Sequence, residues 1–396
     1  MAHEWKIYVR DKNLRRIGEV DNYRQFEAVL KFNDVGTFEL ILDRRQPIVA
    51  DLITPGYGIF VIHEVTGQIL VSGSILGHKH ERDGTSDFIT LTGKDDNWFL
   101  THRVSHPEPN DTTPPYDVSE HFTASGPAST VLRAIVNAQL GPGAIAPRRL
   151  PHLVMGADPG VGKDVEAKLR WTPMLEDMQE LALAGGDIGF RIVQVPETET
   201  LEFQVYQPED KTAIAKFSEE WGNLEGYDFE ASAPETTYVY VGGQGEGLER
   251  KIKEGQKAED VATWWRIEEF NDRRDVSNED ENSEEVLQQR IDETLAEKGA
   301  KATLKVVPID TDGLTFGVDY GLGDKVTIIL SDPEEFGGTP LDGITIQNVM
   351  REVKLHLSQD QSYIEPTIGD PTPAELLKIF TDFKRLAQRV NNLESI

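Results

Sequence analysis

Residues 25–42 read QFEAVLKFNDVGTFELIL, and the pattern of this stretch decides what kind of fold the chain adopts. Apolar side chains alternate with polar ones through QFEAVLKF and again through TFELIL, with NDVG between them. Successive side chains of a strand point to opposite faces, so each half offers one face to a core. Asn33-Asp34-Val35-Gly36 supplies turn chemistry, with Gly36 able to take positive φ there. The reading is an antiparallel hairpin, and its surroundings repeat the pattern. WKIYV (5–9), YGIFVIHEV (57–65), QILVSGSIL (68–76) and DFITLTG (87–93) alternate likewise, with Thr66-Gly67 separating two of them. Many short strands with tight turns describe a small antiparallel barrel or sandwich, here over residues 1–105.

The chain has 396 residues, more than one core commonly serves, so two or three packed units are expected. Hydrophobic residues make up 38%, which excludes a fully disordered chain. The formal charge of −29 repels phosphate backbones and argues against ordinary nucleic-acid binding. Cysteine is absent, so disulfides, thiolate metal sites and thiol nucleophiles are excluded. The opening MAHEWKIYVRDKNLRR lacks the apolar core of a signal peptide, and no stretch reaches the length of a membrane-spanning helix.

Proline and aspartate keep HPEPNDTTPPYD (106–117) from regular structure and mark a boundary. An α/β region then runs over 106–222. Gly126-Pro127 opens a helix with Val131, Leu132, Ile135 and Val136 on one face, and Gly141-Pro142 stops it. Thr172-Pro173 opens another, carrying Leu175, Met178 and Leu181 as far as Gly185-Gly186, and IGFRIVQV with LEFQVYQ forms a hairpin. The β pattern resumes over 223–370 in TTYVYVGG, ATLKVVP, KVTIIL and ITIQNVMREVKLHL. Within it Ser283 caps a helix, about 283–299, whose Leu287, Ile291 and Leu295 recur every four residues. The acidic stretch before it is a solvated loop, and its charges suit the helix N-terminus. In the last segment, 371–396, Thr372-Pro373-Ala374-Glu375 is a capping box. Leu376, Ile379, Phe383, Leu386, Val390 and Leu393 then form a heptad seam, a candidate oligomer interface. Phe380 and Ala387 widen that stripe, so the helix suits packing on its own domain as well as self-association.

The candidate chemical sites are weak. GADPGVGKD (156–164) has the look of a phosphate-binding loop, but five residues rather than four separate Gly156 from Gly162. Asp164 stands where a magnesium-binding hydroxyl belongs, and VEAKLRW after it alternates like a strand where a helix should begin. In VGGQGEG (241–247) the third glycine of a dinucleotide fingerprint comes one residue early, and LERKIKEG is too charged to pack on a sheet. A loop is expected there. His78 and His80 share a strand face without an evident third metal ligand, and Asp310 and Asp312 lack the rest of a calcium loop. With 69 acidic residues no carboxylate pair can be singled out for acid–base catalysis, and no Gly-x-Ser-x-Gly elbow occurs. No catalytic residue, cofactor or metal is therefore assigned, and an enzyme is not expected.

Six segments in fixed order carry a resemblance: FNDVGTFELIL, LITPGYGIFVIH, ILVSGSILGHKHE, LTGKDDNWFLTHRVSHPEP, WTPMLEDMQELALAGGDIGFRI and FGVDYGLGDKVTIIL. Together, over about 5–368, the chain resembles the hub proteins at the distal end of siphophage tails, including the structural part of tail-associated lysins, and especially those of phages infecting actinobacteria. The resemblance implies a β-rich α+β fold: two antiparallel β-barrel-like hub domains, an inserted α/β domain and a C-terminal helix. It implies a homotrimer whose six barrels meet a distal tail protein ring, with spike or fibre proteins below. The enclosed channel would pass the tape measure protein and then DNA, and an acidic wall would not grip a passing polyanion. The place implied is the distal end of the tail of a virion, after synthesis in the host cytoplasm. Many such hubs continue into a peptidoglycan-cleaving domain. This chain stops at Ile396 with no room for one, so the purified chain is expected to leave a peptidoglycan zymogram uncleared. Two alternatives stand beside the hub. A carbohydrate-recognising tail adhesin requires exposed aromatics on a sheet face, for which Trp264-Trp265 is the candidate pair. A cell-wall glycoside hydrolase requires an open cleft with two carboxyl groups at catalytic separation.

Overall fold

A computed structural model describes residues 5–64, 66–111, 114–218, 220–277, 283–308, 314–330, 344–358 and 362–369. The elements run β1 (Trp5–Arg10), β2 (Arg16–Glu19), β3 (Tyr23–Lys31), β4 (Thr37–Asp43), α1 (Val49–Leu52), β5 (Gly58–His63), β6 (Ile69–Asp83) and β7 (Ser86–Asp95). A 3-10 turn at Asp96–His102 leads to β8 (Phe122–Pro127), α2 (Ala128–Gln139), β9 (Leu153–Met155), β10 (Asp164–Leu169), α3 (Met174–Ala184), β11 (Gly189–Val195) and β12 (Thr200–Tyr206). After these come β13 (Lys216–Ser218), β14 (Leu224–Ser232), β15 (Tyr238–Gly242), β16 (Ile252–Gln256), α4 (Ala258–Trp264), β17 (Glu268–Asp272) and α5 (Ser283–Lys298). The last strands are β18 (Lys301–Pro308), β19 (Lys325–Leu330), β20 (Ile344–Ser358) and β21 (Ser362–Gly369). Among the described residues no helix is long and apolar enough to cross a membrane.

Two compact units divide the chain: residues 1–209 with 310–324 and 350–366, and residues 210–309 with 325–349 and 367–396. The fold is β-rich, as expected. In the first unit the strand order is β21-β20-β3-β4-β7-β6-β5-β1-β2, and among the described residues no pairing joins the two ends into a closed barrel. Register shifts at Val61/Ile62 and Ile75/Gly77 let β6 leave β5 and continue along β7, the bending that an extra residue imposes on a strand.

The hairpin quoted first is β3–β4, with Phe26 opposite Leu40 and Ala28 opposite Phe38, all buried. Burying one such large side chain contributes about 1.5–3 kcal/mol. In its turn Asn33, not Gly36, holds the positive φ, at 57°. A Cβ on Gly36 would lie 2.7 Å from both a carboxylate oxygen of Asp95 and the Val29 carbonyl oxygen. Close approach, not backbone handedness, is what demands glycine there.

Within the first unit, α2 and α3 pack as their apolar spacing foretold. Val131, Leu132, Ile135 and Val136 share a core with Leu175, Met178 and Leu181, and with Phe190 and Phe203 of the β11–β12 hairpin. In the second unit α5 covers one face of the sheet β16-β15-β17, setting Val286, Leu287, Ile291 and Leu295 against Val239 and Val241. Residues 252–255 of the charged stretch expected to stay off a sheet lie in strand β16. It is tolerated because Lys251 and Lys253 reach the Glu284 carboxylate at 2.8 and 3.3 Å, and because Gly255 leaves room for Ile291.

Candidate functional site

β11 is hydrogen-bonded to β12 along one edge, and its other edge is closed by side chains instead of a strand. The Phe190 N–H donates to Asn33 Oδ1 (2.7 Å), the Ile192 N–H to Asn97 Oδ1 (2.7 Å) and the Gln194 N–H to Ser72 Oγ (3.0 Å). Further bonds fix these side chains: Asn33 Nδ2 donates to the Ile188 carbonyl (2.8 Å), Asn97 Nδ2 to the Asp34 carbonyl (2.9 Å) and Gln194 Nε2 to the Leu14 carbonyl (2.8 Å). β11 is thereby keyed onto the N-terminal sheet by groups from that sheet's turns and strand ends. An open strand edge would otherwise invite pairing with another chain. Below this ladder lies a fully buried ion pair. Arg10 donates Nη1 and Nη2 to the Asp96 carboxylate at 2.9 and 2.5 Å, the Ser72 hydroxyl adds 2.5 Å, and Arg10 Nη1 also reaches Gln194 Oε1 at 2.9 Å.

Beside the joint is a cavity of about 360 Å³, lined in part by Asn33, Asp95, Asn97, Arg191, Tyr206 and Asp324. The segment FGVDYGLGDK forms its wall. Gly317 and Gly323 hold positive φ, and a Cβ on Gly323 would stand 2.7 Å from the Phe32 ring. Asp324 ties the turn by accepting from the Gly321 N–H at 2.9 Å. Burial pushes the Tyr206 hydroxyl up to about 12, so it stays protonated. Burial also raises the Asp95 carboxyl from 3.8 to about 8, outweighing the Gly36 amide, while the neighbouring Asp96 charge raises it further. Its Oδ2 accepts from the Gly36 N–H at 2.9 Å, and its buried Oδ1 has no partner among the described residues.

The folded chain therefore keeps an Asp95 proton that the unfolded chain releases at ordinary carboxylate pH. The free-energy cost is absent below about pH 4, grows as pH rises to about 8 and is level beyond. Asp95→Asn, with its amide oxygen toward Gly36, is expected to stabilise the fold at pH 8 by roughly 1–3 kcal/mol. Urea midpoints at pH 5 and 8 check this. A gain no larger at pH 8 than at pH 5 would contradict it.

The phosphate-loop look-alike has its own occupant. Asp158 lies at the start of α2, accepting from Ser129 Oγ at 3.0 Å and Thr130 Oγ1 at 2.8 Å. Burial works against its charge, but the Gly160 amide, both hydroxyls and Arg133 outweigh that and lower its pKa. The chain's own carboxylate thus takes the place a phosphate would take, and strand β10 follows where a nucleotide loop needs a helix. His80 pairs with Asp87 at 2.6 Å. Trp264 is half-buried, whereas Trp265 is 80% exposed at φ 63°. Asp310 and Asp312 fall outside the described residues, as do Leu376, Ile379, Phe383, Leu386, Val390 and Leu393. Sequence reading missed Arg10, Ser72, Asp96 and Gln194 as a group, because only the fold brings them together.

No curated protein sequence matches the chain. Among solved structures, the chain resembles a tail protein of Neisseria meningitidis with a TM-score of 0.55 at 16% identity, over 92% of this chain and 96% of that one. It resembles the 43 kDa tail protein of prophage MuSo2 from Shewanella oneidensis with the same TM-score at 12% identity, over 94% and 99%. At those identities the likeness shows a shared fold. Residues 6–370 match as a whole the family described as siphovirus ReqiPepy6 Gp37-like protein, and with the joint, the cavity wall and the six ordered segments all inside that span, the chain belongs to this family of siphovirus tail proteins.

Proposed function

We infer that the protein is the hub of a long-tailed phage's tail tip: three copies around the tail axis, joining the distal tail ring above to spike or fibre proteins below. The observation that carries this reading is family membership across 6–370, which leaves almost none of the described chain to a separate activity. The whole-length fold likeness to two tail proteins agrees with it. In this reading the barrel-like regions supply the ring contacts, and the channel they surround carries the tape measure protein and then DNA. The side-chain ladder at β11 suits a mechanical part, since it holds two regions together by directed bonds without an open edge. The work is structural, with no bond made or broken. A net charge of −29 suits a wall past which DNA must slide.

The absolute mass of the full chain in solution, beside a version stopped at Asp370, tests the assembly. A trimer in both puts the contacts in the β regions. A trimer that becomes a monomer on truncation makes the seam at Leu376, Ile379, Phe383, Leu386, Val390 and Leu393 the clasp. A monomer in both, still monomeric with the distal tail protein added, contradicts the hub. A glycan-binding adhesin is the second reading, favoured by the exposure of Trp265.

A further inference from the structure

The inserted region carries a cluster that the hub reading does not use. The His106 ring stands edge-on between Tyr116 (centroids 4.7 Å apart) and Trp171 (4.3 Å). Tyr116 and Trp171 both hold left-handed backbone, φ 60° and 56°, a conformation bulky side chains rarely adopt and that persists where surrounding bonds impose it. For Trp171 those bonds are visible. Its N–H donates to the Ser105 carbonyl at 2.7 Å, the Ser105 N–H donates back to the Thr172 carbonyl at 2.8 Å, and the indole is left 45% exposed.

Beside the rings the Arg103 guanidinium and Arg148 Nη2 are spent, while His106 Nε2 and Arg148 Nε meet no acceptor among the described residues. The Glu108 N–H donates to His106 Nδ1 at 2.9 Å, which places the ring proton on Nε2, where no acceptor meets it among the described residues. Burial and the charge of Arg148 keep this imidazole neutral. Arg148 uses Nη2 on Gln139 Oε1 (2.7 Å) and the Val104 carbonyl (3.3 Å), and the same Gln139 oxygen accepts the His106 N–H at 3.1 Å. Arg103 lies against it, donating Nε to the Arg148 carbonyl at 3.2 Å. Neither arginine has a carboxylate partner among the described residues, although the chain is acidic, and the Arg148 Nε–H is buried without an acceptor.

The nearby acids are already engaged. Glu108 Oε1 accepts the Val118 and Ser119 N–H groups at 2.8 and 2.7 Å, and Asp177 Oδ2 accepts the Thr172 hydroxyl at 2.7 Å and that of Ser105. The charges of Glu108 and of half-buried Asp111 both act on His106 and oppose an anion there.

We propose that Trp171, Tyr116, His106 and Arg148 form a binding site for an anionic saccharide. The sugar ring would lie on the indole, its hydroxyls would accept from His106 Nε2–H, and its carboxylate or phosphate would take the free Nη1 of Arg148. An aromatic shelf supplies area at little entropic cost, and a guanidinium without a counter-charge supplies the strong bond. The proposal stands whether or not the chain is a hub.

The test is calorimetric titration of the full chain with digalacturonate and with glucose 6-phosphate, using maltose and inorganic phosphate as controls. Saturable binding of either sugar acid, at least about tenfold tighter than either control, is expected, and which one binds separates carboxylate from phosphate. Arg148→Gln should weaken it by about tenfold or more. Trp171→Gly, which fits the left-handed backbone and so keeps a folded readout if the arginine variant fails, should do the same. Maltose binding as tightly, inorganic phosphate binding as tightly, no saturation by either acid, or unchanged affinity in folded Trp171→Gly would each overturn the proposal.

Discussion

Asp96→Ala is expected to destabilise the chain by about 3–5 kcal/mol, read as a lowered urea midpoint and earlier proteolysis. Asp96 is fully buried, and its two oxygens take both Arg10 Nη groups and the Ser72 hydroxyl. Deleting the carboxylate leaves a buried guanidinium facing, among the described residues, only Gln194, whose own N–H depends on Ser72 in turn. The penalty is that of an unpaired charge, not of one lost bond. Replacing both partners by apolar groups, as in Arg10→Met with Asp96→Leu, is therefore expected to recover most of the loss. A single-mutant loss under about 1 kcal/mol would mean that water reaches Arg10 and that the joint is looser than described.

Gly73→Ala is expected to cost about 3 kcal/mol or more, by overpacking. Gly73 pairs with Ile59 on one side and Asp95 on the other, next to Ser72 of the joint. An added Cβ would stand 2.2 Å from the Lys94 carbonyl oxygen and 2.9 Å from the Asp95 Cα. Both are backbone atoms, so no side-chain rotation relieves the clash. Gly67 is the control: it holds φ 71° with nothing within 4 Å of a Cβ, and its alanine variant should lose only about 1–2 kcal/mol from the left-handed conformation. Near-equal thermal shifts for the two variants would contradict the packing account.

Much of the fold was legible because period decides it. The alternation of β3 and β4 and the Val131–Val136 stripe of α2 each bury the face their spacing named. Where the pattern was read too literally, a neighbour explains the difference. β16 looked too charged for a sheet because Glu284, the partner of Lys253 and of Lys251 just before the strand, lies beyond an acidic stretch. Gly36 is able to take a positive φ, but Asn33 takes it, and the Asn33 side chain then bonds both Ile188 and Phe190. The joint itself was illegible. Arg10, Ser72, Asp96 and Gln194 are ordinary polar residues in strands and turns, and nothing local marks them as buried. Two of the four left an indirect trace: Ser72 and Asp96 lie in ordered segments that carried the resemblance to tail hubs, as does Asn33 of the ladder. Those segments looked like generic turn-and-strand pieces, and Ser72 and Asp96 within them meet Arg10 and Gln194 outside them.

The central claim is that this chain forms the tail-tip hub. The most direct test is a cryo-electron reconstruction of the virion tail carrying it, with its copies counted and placed. Three copies around the axis at the distal end, their acidic surface toward the channel, are the predicted result. Any other copy number, a position along the tube or off the axis, or a channel lined by basic groups would contradict the account.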